Sequence, residues 1–328
     1  MTFTRICKDL SNLRIVIVLL TIPFSVSAQT FQPSAVPSAS PVTDEETIIP
    51  TFETQKLART YILDVPAPRG QITDRNGAPL AQNRLSYNLA INFPTPLDFS
   101  DARVLSFVRE KIDKAGKLIG RTLRISDEAI LRHYRNRGIM PLEVSQNLSQ
   151  SEYEEVKDNL PSGMIIRPVY VRTYPNGKLA GQIVGYTGKT GRNPDGIVDN
   201  HETFWPETEG REGLEQTFNE MLTGKHGEYK LTFDKDGRKT SEKLSTPPEP
   251  GYNVVTTLDL HLQELAEKAL ESKAKRGAIV IVDPNNGDIL ALASWPSYDP
   301  NAFIPSISAE KFKALQDDPN IPLLPRAF

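Results

Sequence analysis

The sequence predicts an α+β fold with room for two domains: β-hairpins with a helical insertion, then a long helix followed by a further hairpin. Three observations predict it. Runs with a two-residue apolar period end in turn dipeptides such as Asn76-Gly77 and Asp236-Gly237, whose residues tolerate positive φ. Between about residues 100 and 160 the apolar spacing changes to that of a helix. An amphipathic run from Leu258 to Lys275 then leads into a hairpin around Asn285-Asn286-Gly287.

At the N-terminus, Arg5, Lys8 and Arg14 accompany a short apolar run, Ile15–Ile22, which Pro23 breaks before Val26-Ser27-Ala28. This is the pattern of a cleaved export signal over residues 1–28. An uncleaved membrane anchor is the alternative, for which the run falls short of the roughly 20 residues a span needs. Residues 29–55, rich in Pro, Ser, Thr and Ala, read as a linker. Cys7, the single cysteine, lies in the signal, so the rest of the chain has no disulfide, thiol nucleophile or thiolate metal site. His133, His201, His226 and His261 lack metal-ligand spacing and read as surface or packing residues. No metal or cofactor is expected. Net charge is −3 without a basic block, which argues against a nucleic-acid partner.

In the first folded part, "RGQITDRNGAPLA" (69–81) places a short strand before the Asn76-Gly77 turn. Leu85, Tyr87, Leu89 and Ile91 then alternate with Ser86, Asn88 and Ala90, the pattern of a half-buried strand. Val104, Phe107, Val108 and Ile112 share one helix face. Ser126-Asp127-Glu128 caps a second helix, and Ser149 or Ser151 a third. Strand patterns return over 163–175, at Tyr229, Leu231 and Phe233, and over 252–258. In the long helix, Leu258, Leu262, Leu265, Ala266, Ala269 and Leu270 form the apolar stripe. Ala278–Val282 is apolar throughout, as in a strand covered on both faces.

Three fragments spell the elements of a β-lactam-recognising serine site. They are Ser308-Ala309-Glu310-Lys311 (S-x-x-K), Ser145-Gln146-Asn147 (S-x-N) and Lys189-Thr190-Gly191 (K-T-G). In that chemistry the serine attacks, the lysine and S-x-N residues shuttle the proton, and the K-T-G strand orients the substrate. The required order is S-x-x-K, S-x-N, K-T-G, and here S-x-x-K comes last. Lys189-Thr190-Gly191 sits in turn chemistry instead of an edge strand, and Ser145 lies near a helix start, where serine caps. A second S-x-x-K, Ser272 to Lys275, shows how common the spacing is. Ser308 precedes Phe312 and Leu315 and reads as the N-cap of a short amphipathic helix. Ser308 and Lys311 are therefore decoys, and no catalytic residue is expected in this chain. "GYTGKT" also fails as a phosphate loop, because Ile183 stands where its first glycine belongs.

Arg69, Gly70, Ile72, Asp74, Arg75, Asn76, Gly77, Leu80 and Ala81 resemble the N-terminal signature of class B penicillin-binding proteins, the monofunctional peptidoglycan D,D-transpeptidases. "YPNGKLAGQIVGYTG" (174–188), "GREGLEQTFNEMLTGKHG" (210–227), "TTLDLHLQELAEKAL" and "GAIVIVDPNNGDILALASWPSYDPN" resemble later segments in family order. The match is best with the elongation-type branch. The resemblance implies a dimerisation or pedestal domain over residues 56–248, with the helical insertion as its head. Residues 249–328 would then be the N-terminal part of a β-lactamase-like transpeptidase domain. Arg69, Gly70, Asp74, Arg75, Asn76 and Gly77 are carried over as structural residues, with Asp74 and Arg75 tying the hairpin to a neighbouring segment.

The resemblance also implies a role in cell-wall synthesis, in the periplasm or at the outer face of a bacterial inner membrane. Partners would be peptidoglycan-synthesis and elongation proteins, or a second copy through the pedestal. Peptidoglycan precursors would bind only if the rest of the transpeptidase domain is supplied. In the family, the segment resembling "PLLPRAF" comes shortly before the true S-x-x-K, although Pro325 stands where the family has Asn. The catalytic serine is thus expected beyond Phe328, the chain alone is expected to be inactive, and residues 251–328 are expected to be softer than the pedestal. Two alternatives stand beside this reading: an active serine enzyme using Ser308, and a non-catalytic partner module of the wall-synthesis machinery.

Overall fold

The computed structural model describes residues 60–190, 196–204 and 207–328. The export signal, Cys7 and the linker lie outside the described residues. Among the described residues no helix is long and apolar enough to cross a membrane.

Strands β1 (Thr60–Val65), β7 (Glu202–Thr203), β9 (Gly227–Phe233) and β10 (Lys239–Thr246) form one sheet in the order β10-β9-β1-β7. Tyr61, Leu63, Leu231 and Phe233 are its core. The β9–β10 turn forms where Asp236-Gly237 predicts it, with the Asp234 carboxylate accepting the N–H groups of Asp236 and Arg238 at 2.9 Å.

The second sheet contains the expected hairpin, β2 (Ile72–Thr73) and β3 (Pro79–Ile91), turning at Gly77 with φ 86°. Beyond the hairpin, β3 pairs antiparallel with β5 (Met164–Thr173), from Gln82 opposite Thr173 to Ile91 opposite Met164. Around its far end sit helices α1 (Asp101–Ile119), α2 (Asp127–Arg137) and α3 (Gln150–Lys157). Val104, Val108 and Ile112 of α1 pack with Ile130, Tyr134, Leu89 and Ile91. Ser126 caps α2 through the Ala129 N–H, and Ser149 forms a reciprocal capping box with Glu152.

Two details of this region differ from the sequence reading. The helical insertion contains a strand, β4 (Leu142–Ser145), which pairs with the end of β3. Ser145 closes that strand and its Oγ accepts from Arg121 Nη2 at 2.5 Å, so it is Ser149 that caps. The simple alternation in β3 also fails: Leu85 is 48% exposed while Ser86 and Asn88 are buried. Asn88 turns inward because it bonds across to β4, donating to Glu143 (2.5 Å) and accepting from Asn147 N–H (2.9 Å). From Leu89 to Ile91 every position is buried beneath the head.

Next come α4 (Gly181–Val184), β6 (Thr187–Lys189), β8 (Thr208–Gly210), α5 (Gly213–Thr217) and α6 (Asn219–Thr223). β6 pairs antiparallel with β8, with Lys189 opposite Thr208, so Lys189 belongs to a strand where turn chemistry was expected. The backbone partners of Tyr186–Thr190 come from the later segment 207–211, with the Arg211 N–H donating to the Tyr186 carbonyl and the Thr190 N–H to the Glu207 carbonyl, a long-range pairing that local turn signals do not carry.

The strand expected over 252–258 shortens to β11 (Val254–Val255), parallel to β2. Helix α7 (Leu260–Lys273), capped by Asp259, then packs on the hairpin β12 (Gly277–Val282) and β13 (Ile289–Trp295). Its stripe departs from expectation: Leu265 is 50% exposed, while Gln263 and Glu267 are buried. The buried face of α7 meets free backbone N–H groups, which polar side chains satisfy. β12 is not covered on both faces, since Val280 and Val282 are each 48% exposed. Among the described residues only β13 pairs with it; α7 covers one face of the hairpin, and Leu292 of β13 packs on the Ile72–Leu258 core. A 3-10 turn (Pro300–Phe303) and α8 (Ala309–Gln316) complete the described chain.

Candidate functional site at the pedestal junction

The motif arginine Arg69 enters a buried ionic hub. Its Nε donates to Glu215 Oε2 at 2.7 Å, Nη2 to the Glu215 carbonyl at 2.8 Å, and Nη1 to Asn219 Oδ1 and Thr223 Oγ1. From the end of β5, Arg172 Nε donates to the other Glu215 oxygen at 2.6 Å and its Nη1 to the Gly70 carbonyl at 2.7 Å. The Tyr174 hydroxyl adds a bond to Glu215 Oε1 at 3.2 Å and accepts the Thr187 N–H. Burial, and then the Glu215 charge, push the Tyr174 phenol well above its usual range, so it acts as a neutral donor. Glu215 is fully buried, and removing any one partner would strand charge away from water.

The hub holds the hairpin against the α5–α6 segment, and the two together receive the start of the second part. Gly70 N–H donates to the Leu222 carbonyl, and Gly251 and Tyr252 bond back to Pro68 and Met221. A Cβ on Gly70 would lie 1.9 Å from the Tyr252 carbonyl oxygen, so only glycine fits. Asp74 works one turn further on. Its Oδ1 accepts the N–H groups of Asn76 and Ala78 at 2.8 Å, and its Oδ2 the Leu260 N–H that opens α7, at 3.2 Å. Burial alone would raise this carboxyl, but the N–H groups of Leu260, Ala78 and Asn76 outweigh it and hold the group below the usual range.

Three further contacts complete the joint. Asn301 pairs with the Tyr174 backbone in both directions, at 3.0 and 2.8 Å. Glu267 Oε1 accepts the Ala180 N–H and the Gln263 side-chain N–H, both at 2.8 Å. Burial lifts the Glu267 carboxyl above its usual range, with those two bonds offsetting part of the rise. The Tyr298 hydroxyl donates to Glu212 at 2.9 Å.

The predicted structural residues therefore split. Arg69, Gly70 and Asp74 make the joint's contacts, while Asn76 and Gly77 form the exposed turn that Asp74 closes. Arg75 is exposed and contributes only its backbone N–H, to the Leu258 carbonyl, so the motif arginine that makes the ion pair is Arg69. Glu215, Arg172, Gln263, Glu267 and Asn301 escaped sequence reasoning. Glu215 had a signal in its Gly-Leu-Glu segment. Gln263 and Glu267 had one as an i,i+4 polar pair inside an apolar stripe.

The acyl-transfer look-alikes do not assemble. Ser308 is exposed, and its Oγ accepts the Lys311 N–H at 3.2 Å as the N-cap of α8. Asn147 and Lys189 do face one cleft of about 90 Å³, with Ile304 and Pro305, but no serine lines it. Among the described residues no group of three or more His, Cys, Asp or Glu side chains is placed to hold a metal.

The joint's residues fall within residues 64–256, which match the penicillin-binding protein dimerisation domain, and just beyond them. The chain belongs to the class B penicillin-binding proteins. It is similar to the peptidoglycan D,D-transpeptidase MrdA of Escherichia coli K12, 32% identical over 280 residues, covering 82% of this chain and 42% of that protein. Among solved structures, it resembles the penicillin-binding protein PBP2 of Helicobacter pylori, solved as a complex with MreC. That likeness has a TM-score of 0.62 and 27% identity, over 81% of this chain and 48% of the other. Penicillin-binding protein 2X of Streptococcus thermophilus follows, with a TM-score of 0.51 and 26% identity, over 73% and 36%. These likenesses put this penicillin-binding protein in the elongation-type branch, and it spans less than half the length of each relative.

Proposed function

We propose that residues 56–248 are the pedestal, and residues 249–328 the opening of the transpeptidase domain, of an exported protein of peptidoglycan synthesis. The whole protein would perform D,D-transpeptidation by serine acyl transfer, with a nucleophile that is none of the serines described. The observation that carries this is the joint. The Arg69–Glu215–Arg172 hub ties together the pedestal segments that bond Gly251 and Tyr252, and Asp74 accepts the N–H that opens α7, so these groups are engaged in structure and none of them is a nucleophile beside a base. Labelling of the purified chain with fluorescent penicillin, beside Ser308→Ala, tests it. No covalent label is expected on either. A label lost in Ser308→Ala would make Ser308 the nucleophile and overturn the reading.

A second role, engagement of other elongation proteins through the pedestal, is favoured by the similar Helicobacter pylori PBP2, solved with MreC. Retention of the chain on immobilised MreC is the expected result, and absence of binding at high micromolar concentration would remove it. Cell fractionation tests the location, with the chain expected in the envelope outside the inner membrane.

A further inference from the structure

Helix α4 has four residues, all buried, and meets the second part at separate points. The Ala180 N–H, just before it, binds Glu267 of α7. A Cβ on Gly181 would lie 2.4 Å from the Tyr298 carbonyl oxygen. Gln182 is 7% exposed, and its Nε2 faces three carbonyl oxygens: Pro322 at 2.6 Å, Pro296 at 3.0 Å and Leu324 at 3.3 Å. A carboxamide has two N–H protons, so the two short bonds dominate and Leu324 shares. Both dominant acceptors are proline carbonyls.

Among the described residues, the other side-chain hydrogen bonds to the stretch that Gln182 reaches come from its own side of the joint. Ser294 Oγ of β13 accepts the N–H groups of Arg326 and Ala327 at 3.0 Å. The Arg326 guanidinium donates to the carbonyls of Asn320, Ile321 and Leu324 and closes the turn on itself. We propose that Gln182 is a positioning residue: the side chain through which the pedestal sets the placement of the Asn320–Ala327 turn. The inference deepens the pedestal reading above. It concerns which residue carries position across the joint and does not depend on where the acyl-transfer serine lies.

Hydrogen exchange of the full 328-residue chain tests it, read at the amides of Ile321, Leu324, Arg326 and Ala327. In Gln182→Leu these amides are expected to exchange about tenfold faster, the loss of one to two hydrogen bonds. The amides of α1 and β9 should keep their wild-type rates, which a general loss of stability would not allow. Gln182→His retains one N–H donor and is expected to fall between the two. If Gln182→Leu does not fold, the His variant reads the same amides. Unchanged exchange at Ile321–Ala327, or a rise shared equally by α1 and β9, would overturn the proposal. Penicillin labelling of the same chain reports separately on the pedestal reading, so the two can fail independently.

Discussion

The Arg69–Glu215–Arg172 hub and the β12–β13 hairpin lie in one chain and are built on opposite economies. In the hub, each buried charged side chain meets several partners drawn from segments up to 154 residues away in sequence. In the hairpin, two strands pair only with each other among the described residues, and their small core with α7 is Ala266, Leu270, Ala291 and Ala293. An isolated two-stranded hairpin is marginal in water, so this one depends on α7 and the joint for its stability. Directional bonds let the pedestal specify one geometry at modest area, whereas the hairpin has apolar surface without enough neighbours to bury it.

The sharpest way to break the contrast is Glu215→Gln. It leaves two buried guanidinium groups around a neutral amide, and a loss of roughly 3–5 kcal/mol is expected in denaturant unfolding. A change near zero would mean that the hub is not what holds the pedestal. Limited proteolysis compares the two regions directly, with cleavage expected within residues 251–328 before any in the pedestal. Equal resistance would count against a soft second part. Gly70→Ala forces a methyl into the Tyr252 carbonyl. About 1–3 kcal/mol is expected to be lost, with cleavage between residues 251 and 328 accelerated.

A smaller effect separates the two carboxylates at the joint by pH. Glu267 has a folded pKa raised above its ordinary 4.5, so the native state holds its proton more tightly than the unfolded chain. Its contribution falls as pH rises through 4.5 towards the raised value. Glu267→Gln should flatten that part of a melting-temperature profile, and an unchanged slope would exclude Glu267 as its source. Asp74 works in the other direction, since its lowered pKa adds stability above its ordinary 3.8 that is lost as pH falls through the folded value. The smallest change is expected from Val280→Thr on the exposed face of β12: within about 0.5 kcal/mol in stability, with less aggregation on heating. A large loss of stability there would show that the face is covered in solution.

Much of the fold was legible because its signals are local. Asn76-Gly77 and Asp236-Gly237 specify turns through backbone freedom, and Ser126, Ser149 and Ser308 mark helix starts through a hydroxyl that accepts an N–H. The misreadings share one cause, which is long-range pairing. Lys189 becomes a strand residue because Thr208 pairs with it, and β4 interrupts a helical block because β3 needs a partner. Asn88 is buried because the turn after β4 needs an acceptor. The joint was half legible: its glycines and Arg69 stood out in a motif, but nothing local to Glu215 shows that two arginines converge on it. Arg75 was overread, since adjacency to Asp74 in sequence does not put the two side chains on one partner.

The β3–β5 ribbon has a mechanical consequence. β3 is 13 residues long, about 44 Å at the rise of an antiparallel strand, and ten of its residues are registered against β5. One end of the ribbon is clamped in the head at Leu89 and Ile91. The other delivers Arg172, and Tyr174 just beyond the strand, to the hub. A paired ribbon of that length resists stretching far more than bending, so it fixes the distance between the head and Glu215 more firmly than the angle between them. The head is thereby held at a set span from the segments whose backbones bond Gly251 and Tyr252.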